Sequence, residues 1–317
     1  MSSNSTETQH MHENDYIDLK PTLEIIWSKK IFISIVSTIF ALVSIAVALS
    51  IPNQYISTAT LTESQNQSSS LSNSISSQFG DLASFAGVNM GTAAYSESQV
   101  AFEVMQSWSF IEKFIQENNL EVNLIAVKGW DIKNNSLIIN NNKFDVSTSQ
   151  WLNMTPNYKG EIPSSWQLKN AFKKKVKISR DINNGTIKVS FEYFSPFLAK
   201  EYLELYIQAI NDHMRDRKLL EANNNIQYLQ KEIEQTSVTP MRELFYKLIE
   251  EQTKSKMIAN ATPNFIFNIV NEPMVPEERS RPARSLIVIA GTFSGCIFAI
   301  LFIVLSNINI LISKNNN

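Results

Sequence analysis

Two long apolar runs, one near each end of the chain, dominate the pattern of hydrophobic and polar positions. Residues 31–51 and 285–312 contain no charged side chain, and about 20 apolar residues are enough to cross a bilayer core as a helix. The pattern therefore predicts two transmembrane helices that flank a large polar region, residues 52–284. Residues 1–30 and 313–317 form the terminal tails.

The first apolar run carries the flanking residues of a membrane helix. Trp27, Lys29 and Lys30 precede it as an interfacial aromatic followed by cationic anchors. A cleavable secretory signal is the alternative, because residues 46–48 resemble a cleavage site, but the acidic leader and the length of the run favour an uncleaved helix. With Lys20, these cations predict cytoplasmic termini and a central region on the opposite side of the membrane.

Strand patterns adjoin both apolar runs. Residues 54–61 alternate in polarity directly after the first run, and residues 264–270 form an apolar strand before the second. A hairpin is predicted where residues 186–192 alternate after the turn signal 183–185, with Val176 in the preceding strand. We expect these strands to share one sheet, so the fold class is α+β, with a mixed α/β base beside the membrane.

Helical periodicity marks the remaining regular segments. Residues 96–118 show one apolar face that includes Ser107, and residues 165–172 form a short helix. No Gly or Pro interrupts residues 197–235, which we expect to form one long extended helix. Thr239 is expected to cap a further helix whose first residue is Pro240.

The long helix carries a short heptad seam in its second half. Such a seam packs either on a neighbouring helix of the same chain or between subunits, and both readings stay open. The seam consists of Leu219, Ala222, Ile226, Leu229 and Ile233.

Three stretches give weaker patterns. Residues 62–78 are too polar to pack and are expected to form a loop, and residues 79–87 are expected to form a short helix. Residues 120–163 alternate irregularly between Asn clusters, which predicts loops with a strand or two.

Composition argues against an enzyme and against a nucleic-acid partner. The chain has 317 residues, a formal net charge of −2 and a pI near 6.0, so it offers no basic footprint for nucleic acid. It contains no phosphate-binding glycine motif. His10 and His12 lie in the tail, His213 lies within the long helix, and the only cysteine, Cys296, lies in the second apolar run. We therefore expect no catalytic residue, cofactor or metal.

Three polar or aromatic features each have an ordinary structural reading. The basic run 173–175, with Lys177 and Arg180, could contact anionic polymer or lipid-linked phosphate, although lysines that keep an edge strand soluble are favoured. Carboxylate pairs on the helices are expected to be solvated. The remaining feature is a set of tryptophans that could stack on sugars but are more often core anchors, namely Trp108, Trp130, Trp151 and Trp166.

Gly291 and Gly295 form a G-x-x-x-G pair in the second apolar run. The pair allows close packing against the first span or against a neighbouring subunit. The alternative is the ordinary tolerance of membrane helices for glycine.

The approach to the second run allows a comparison with a known family. The chain resembles the Wzz-type chain-length determinants, which are polysaccharide co-polymerases, in the form without a kinase domain. Residues 109–119 and the pair Ser195 and Pro196 at the start of the long helix support the resemblance. The residues that carry it are Pro273, Pro276, Ser280, Pro282, Arg284, Gly291 and Gly295.

The resemblance implies a non-catalytic regulator that sets the length of a lipid-linked surface polysaccharide. Such a protein would act as an inner-membrane homo-oligomer with a polymerase, in contact with membrane lipid and with the growing glycan, and O-antigen of lipopolysaccharide is the first expectation. Because only residues 313–317 follow the second span, no fused kinase is expected. The alternatives are a capsule or exopolysaccharide scaffold with a separate kinase, or a two-span periplasmic sensor. We call the proline-rich segment before the second span the junction. Glu277 and Glu278 depart from the form that this junction usually has in the family, and they leave the subgroup open.

Overall fold

The computed structural model describes residues 26–64, 96–152, 163–181 and 183–306. Most of the expected loop 62–78 and all of the expected helix 79–87 lie outside these residues. In chain order the elements are α1 (Lys30–Ser50), β1 (Tyr55–Glu63), α2 (Glu97–Gln106), α3 (Trp108–Glu117), α4 (Glu121–Ile125), β2 (Val127–Asp131), β3 (Ser136–Ile139), β4 (Phe144–Asp145), β5 (Gln150–Trp151), α5 (Ser165–Lys173), β6 (Val176–Arg180), β7 (Ile187–Tyr193), α6 (Pro196–Gln235), α7 (Thr239–Ala261), β8 (Phe267–Asn271) and α8 (Arg284–Ser306).

The first of two compact units consists of the two apolar helices. Both α1 and α8 are long and apolar enough to cross a membrane. Phe32 stacks on Phe302 with ring centroids 5.9 Å apart, and Phe40 lies 5.8 Å from Phe298. Because the later residue of α1 meets the earlier residue of α8, the two helices are antiparallel.

The second unit, Pro52–Arg281, is built on a four-stranded sheet. The strand order is β6-β7-β1-β8, and every neighbouring pair is antiparallel. The expectation that the strands adjoining the two apolar runs share a sheet with the hairpin is therefore confirmed, as is the α+β fold class. Two small two-stranded sheets, β2-β3 and β4-β5, lie in the stretch predicted to be irregular.

Alternation along the central strands explains which face of the sheet is buried. Ala59 and Leu61 of β1 lie opposite Val189 and Ile187 of β7, and all four side chains are buried. Helix α6 packs on this face through residues spaced three and four apart, because only one stripe of a helix can face a sheet. The buried members are Ala199, Tyr202, Leu203, Tyr206, Ile207, Ile210, Asn211 and Met214.

Aromatic rings fill the space between α6 and the shorter helices. The Phe114 and Phe172 rings both lie 5.2 Å from the ring of Tyr206, whose hydroxyl donates to the Met105 carbonyl at 2.6 Å. Burial raises the pKa of Tyr206 above its ordinary range. The hydroxyl therefore stays a neutral donor, which satisfies a buried polar group inside an apolar core.

The single helix predicted over residues 96–118 is wrong, because it breaks at Ser107. This residue has an extended backbone conformation. Its N–H donates to Val104 at the end of α2, and its Oγ accepts from the Phe110 N–H at the start of α3. Serine competes well for such caps, and the sequence reading treated Ser107 only as part of a helical face.

Two further expectations need correction. Helix α7 begins at Thr239 with Val238 as the preceding cap residue, and no side chain caps it, so Thr239 is not the cap. The last strand begins at Phe267 rather than at residue 264.

Asn211 joins the long helix to the segment that enters β8. The side chain is 2% exposed. Its Oδ1 accepts from the backbone N–H groups of Ile266 and Phe267, both at 3.0 Å. Its Nδ2 donates to the Phe267 carbonyl at 3.3 Å and to the Ile207 carbonyl at 3.1 Å. A single amide thus satisfies two buried backbone donors that the sheet does not pair.

We expect Asn211→Leu to destabilise the domain by about 3 kcal/mol or more, because it leaves buried N–H groups without partners. Thermal or denaturant unfolding of the purified full chain measures the change. Asn260→Leu, at an exposed position on α7, is the matched control and should have little effect. Equal stability of the two variants would contradict a structural role for the amide.

Candidate functional site

The proline-rich segment before the second apolar helix runs along the edge of β1. Strand β8 pairs with the end of β1 as far as Thr60 and Asn271. Further along, the Ser57 Oγ donates to the Met274 carbonyl at 2.8 Å, and Pro273 is buried beside it. Since proline has no N–H to donate, the regular ladder stops and side chains take over the contact.

Pairing resumes at the beginning of β1. The Gln54 N–H donates to the Arg281 carbonyl at 3.0 Å, and the Ser280 N–H donates to the Gln54 carbonyl at 2.8 Å. The Ser280 Oγ lies 3.0 Å from the same carbonyl and 3.3 Å from Glu192 Oε1. Among the predicted junction residues, Pro276 is half-buried and Ser280 is exposed.

The other two junction residues lie in the unit of the apolar helices. Arg284 is the first residue of α8, and its N–H donates to the Pro282 carbonyl at 2.9 Å. Pro282 lies two residues before the helix, whose first turn begins at Arg284.

Glu192 connects the junction to Lys175, the residue before strand β6. Its carboxylate is 13% exposed and lies 3.2 Å from Arg281 Nε, while its N–H donates to the Lys175 carbonyl at 2.7 Å. The Lys175 ammonium lies 4.8 Å from the ring centroids of both Tyr193 and Phe194. Burial lowers the pKa of Lys175 to about 8, and the Glu192 carboxylate opposes that shift.

The glycine pair lies at the contact between the two apolar helices. A Cβ on Gly291 would overlap the side chain of Ser44, and a Cβ on Gly295 would lie 2.6 Å from the Phe40 Cβ. Gly295 is buried, as are Ala299 and Ile303 one and two turns later. Small residues at this spacing let two helices approach closely, and here the partner is the first apolar helix of the same chain.

The heptad seam lies where α6 continues beyond the sheet and α7 packs against it. Ala222 is buried, and the other seam residues, Leu219, Ile226, Leu229 and Ile233, are half-buried. Polar contacts flank the seam: Lys256 Nζ donates to Asn223 Oδ1 at 2.8 Å, and Asn225 lies 3.5 Å from Gln252. The seam thus has a neighbour within its own chain.

His213 and Glu204, two residues with catalytic potential in the described part of the chain, have ordinary structural partners. His213 packs edge-on against Phe110 at 5.4 Å, and burial together with Lys113 and Arg217 lowers its pKa. Glu204 pairs with Lys200 on the same helix. Within the described residues no group of three or more His, Cys, Asp or Glu side chains could hold a metal ion, and His10 and His12 lie outside them.

The junction also contains two residues that the sequence did not single out, Gln54 and Glu192, whereas Lys175 belongs to the basic run 173–175 noted above. Gln54 lies next to a strand and Glu192 lies in one, and their partners are distant in the chain, as in the Ser280–Gln54 contact across 226 residues. Alternation of the strands predicts which face each residue occupies but not its partner across the sheet.

Comparison with known protein families gives a match over the first third of the chain. The sequence model of the Wzz family, described as chain length determinant protein, matches residues 15–118. This match confirms the resemblance to chain-length determinants over that segment. Most of the supporting stretch 109–119 lies inside it, whereas the proline-rich junction lies outside. No curated protein is significantly similar in sequence.

Solved structures of co-polymerases are also similar to the chain. A full-length bacterial polysaccharide co-polymerase shares 14% identity over 92% of this chain and 97% of its own, with a TM-score of 0.37. A fragment of the Salmonella Typhimurium co-polymerase WzzB shares 13% identity over 72% and 100%, with a TM-score of 0.30. A mutant of the Shigella flexneri lipopolysaccharide O-antigen chain-length regulator shares 9% over 72% and 100%, with a TM-score of 0.19.

Lys175 gives the domain a defined dependence on pH. An unfolded lysine titrates near 10.4, so between about pH 8 and 10.4 the unfolded chain binds more protons than the folded one and stability rises with pH. Lys175→Met should raise the free energy of unfolding at pH 7 by about 1 kcal/mol, a value discounted for partial exposure and for the two rings. Unfolding at a series of pH values checks this.

The gain in the Lys175→Met variant should shrink as the pH rises from 8 towards 10.4, because wild-type Lys175 then loses its buried charge. Lys177→Met, at an exposed position on β6, removes an equal charge and should show no such trend. A stability difference that does not change with pH would contradict the burial of the ammonium.

Replacing Gly291 or Gly295 with leucine should force the two apolar helices apart. Overpacking of this kind costs about 1–3 kcal/mol, so we expect a lower midpoint of thermal unfolding for the full chain in lipid nanodiscs. Ser294→Leu, exposed on the same helix, adds a similar volume away from the contact. Glycine variants as stable as this control would show that the close approach is incidental.

Proposed function

We propose that this chain is a non-catalytic regulator of the chain length of a lipid-linked surface polysaccharide, with O-antigen as the first candidate. The observation that carries the proposal is the match of residues 15–118 to the chain length determinant family. The resemblance of the proline-rich junction and of the ordered sequence pattern extends it to the remainder of the chain.

The same proposal includes an arrangement in the bacterial inner membrane with α1 and α8 as spans. Supporting it, Lys30 lies 5.7 Å from the ring of Trp27, an aromatic and a cation at the start of the first apolar helix, as expected at a membrane surface. We propose that the termini are cytoplasmic and that the domain Pro52–Arg281 is periplasmic. In this proposal the chain itself catalyses no step of sugar chemistry.

A homo-oligomer that works beside the polymerase is the proposed active form. The helical pair α6 and α7 supports it, because large apolar side chains on that pair face outward in a single chain. Leu220 and Tyr228 are each 63% exposed, Tyr246 is 54% exposed and Met257 is 66% exposed. In the proposed oligomer, a contact over this helical pair would remove these side chains from water.

Deletion of the protein should change the length distribution of surface polysaccharide without abolishing the polymer. We expect a modal cluster of bands on a gel ladder to be replaced by shorter, more randomly distributed chains, because polymerisation would continue without its regulator. Re-expression of the full chain should restore the cluster.

An unchanged ladder would contradict chain-length control. Complete loss of the polymer would instead favour a scaffold for capsule or exopolysaccharide export. Chemical cross-linking in membranes tests the oligomer, and a strictly monomeric product would contradict it.

A further inference from the structure

A groove rich in lysine crosses the second unit beside α5 and the start of β6. Its volume is about 930 Å³. We name it the lysine groove after the cations that line it, which are Lys143, Lys173, Lys174, Lys175 and Arg281.

The cations of the lysine groove come from separate parts of the chain. Lys143 precedes β4, Lys173 ends α5, and Arg281 belongs to the segment after β8. Glu192 is the one acidic residue among the described residues that line the groove, and it already contacts Arg281 at 3.2 Å. The groove therefore carries a clear excess of positive charge.

Ordinary structural roles explain only part of this arrangement. A lysine at the end of α5 suits the negative end of the helix dipole, and lysines on the edge strand β6 discourage association with other strands. Neither role accounts for the presence of Lys143 and Arg281 in the groove beside these lysines. Lys143 is held there by one hydrogen bond from Nζ to the Ile125 carbonyl at 3.2 Å, which leaves donors on a three-donor ammonium.

Trp166 adds an exposed aromatic face to the lysine groove. It is 59% exposed, and it makes no ring-stacking or cation–π contact with any described residue. The other tryptophans are engaged: Lys169 lies over Trp108 at 4.6 Å, Trp130 contacts Tyr55, Trp151 contacts Phe144, and Lys30 lies over Trp27.

Amide side chains also line the groove, namely those of Gln54, Gln167 and Asn170. Asn170 follows Trp166 by one helical turn on the same face of α5, and both residues line the groove. An exposed aromatic plane, amides and several cations match the three parts of an anionic sugar, which are its apolar ring face, its hydroxyls and its acidic group.

We propose that the lysine groove binds an anionic saccharide, a sugar that bears a phosphate or a carboxylate group. Trp166 stacks on the ring, Asn170 bonds its hydroxyls, and Lys173 and Lys174 hold the acidic group. The proposal rests on the proposed function, because a polysaccharide under synthesis supplies such a ligand. It goes further by placing direct contact with the glycan on named residues of this domain.

Binding to the full chain in phosphatidylcholine nanodiscs tests the lysine groove. The probes are a phosphorylated dextran oligosaccharide and an oligogalacturonate, which separate phosphate from carboxylate, with unmodified dextran of equal length as the neutral probe. We expect at least one anionic probe to bind at least about tenfold more tightly than the neutral one, since charge-assisted hydrogen bonds are the strong ones. Equal binding of all three, or none, overturns the proposal.

Matched variants separate the groove from general surface charge. Lys173→Gln with Lys174→Gln should weaken anionic binding by about tenfold or more. Lys247→Gln with Lys254→Gln removes the same charge from exposed positions on α7 and should have an effect below about twofold. Equal losses in the two double variants overturn the proposal, as charge alone would then explain the binding.

Trp166→Ala distinguishes a sugar from a bare anion. It should weaken binding of the anionic oligosaccharide and leave binding of inorganic pyrophosphate unchanged, because only a sugar ring offers a face for stacking. An unaltered oligosaccharide affinity overturns the proposal. If no anionic probe binds but deletion of the protein alters the polysaccharide ladder, the groove proposal fails and chain-length control stands. If an anionic probe binds but deletion leaves the ladder unaltered, chain-length control fails and the groove proposal stands as a binding site.

Discussion

Strand β1 is hydrogen-bonded along both of its edges, and the rest of the domain depends on this double pairing. Strand β7 pairs with it from Tyr55 to Leu61, and β8 pairs with it from Thr60 to Glu63. In sequence, β1 follows the first apolar helix directly, while β8 and the proline-rich segment lead to the second. The pairing thus closes the long central region onto itself, and the buried face that it creates is the one on which α6 packs.

The prolines end the sheet on the β8 side, and so they determine which residues of the junction contact β1. A ladder that continued beside β1 would leave an open edge able to pair with another chain, whereas Pro273 and Pro276 cannot donate to such a ladder. Contact passes to Ser57 and then to Ser280 and Arg281. As a result Arg281 reaches Glu192, and a residue of the junction becomes part of the lysine groove.

Features with a local signal could be predicted from the sequence, while features that depend on distant partners could not. Alternation and the turn at residues 183–185 gave the hairpin, where Gly185 adopts a φ of +67°, and the uninterrupted pattern 197–235 corresponds to α6 (Pro196–Gln235). The break at Ser107 was missed because serine serves equally as a solvated helical residue and as a cap. The basic run 173–175 and Trp166 were noted as possible contacts for anionic polymer or sugar. The groove that joins them to Lys143 and Arg281 could not be predicted, because these residues come together only when the domain folds.

The two halves of α6 depend on different partners, and this division has physical consequences. The first half is buried as far as Met214 and is joined to the strand β8 region by Asn211. The second half packs on α7, with side-chain hydrogen bonds such as Lys256 to Asn223 and with half-buried apolar residues. Regions with fewer buried apolar contacts open at lower free energy than a core. The helical pair is therefore expected to open at lower free energy than the sheet and the groove beside it.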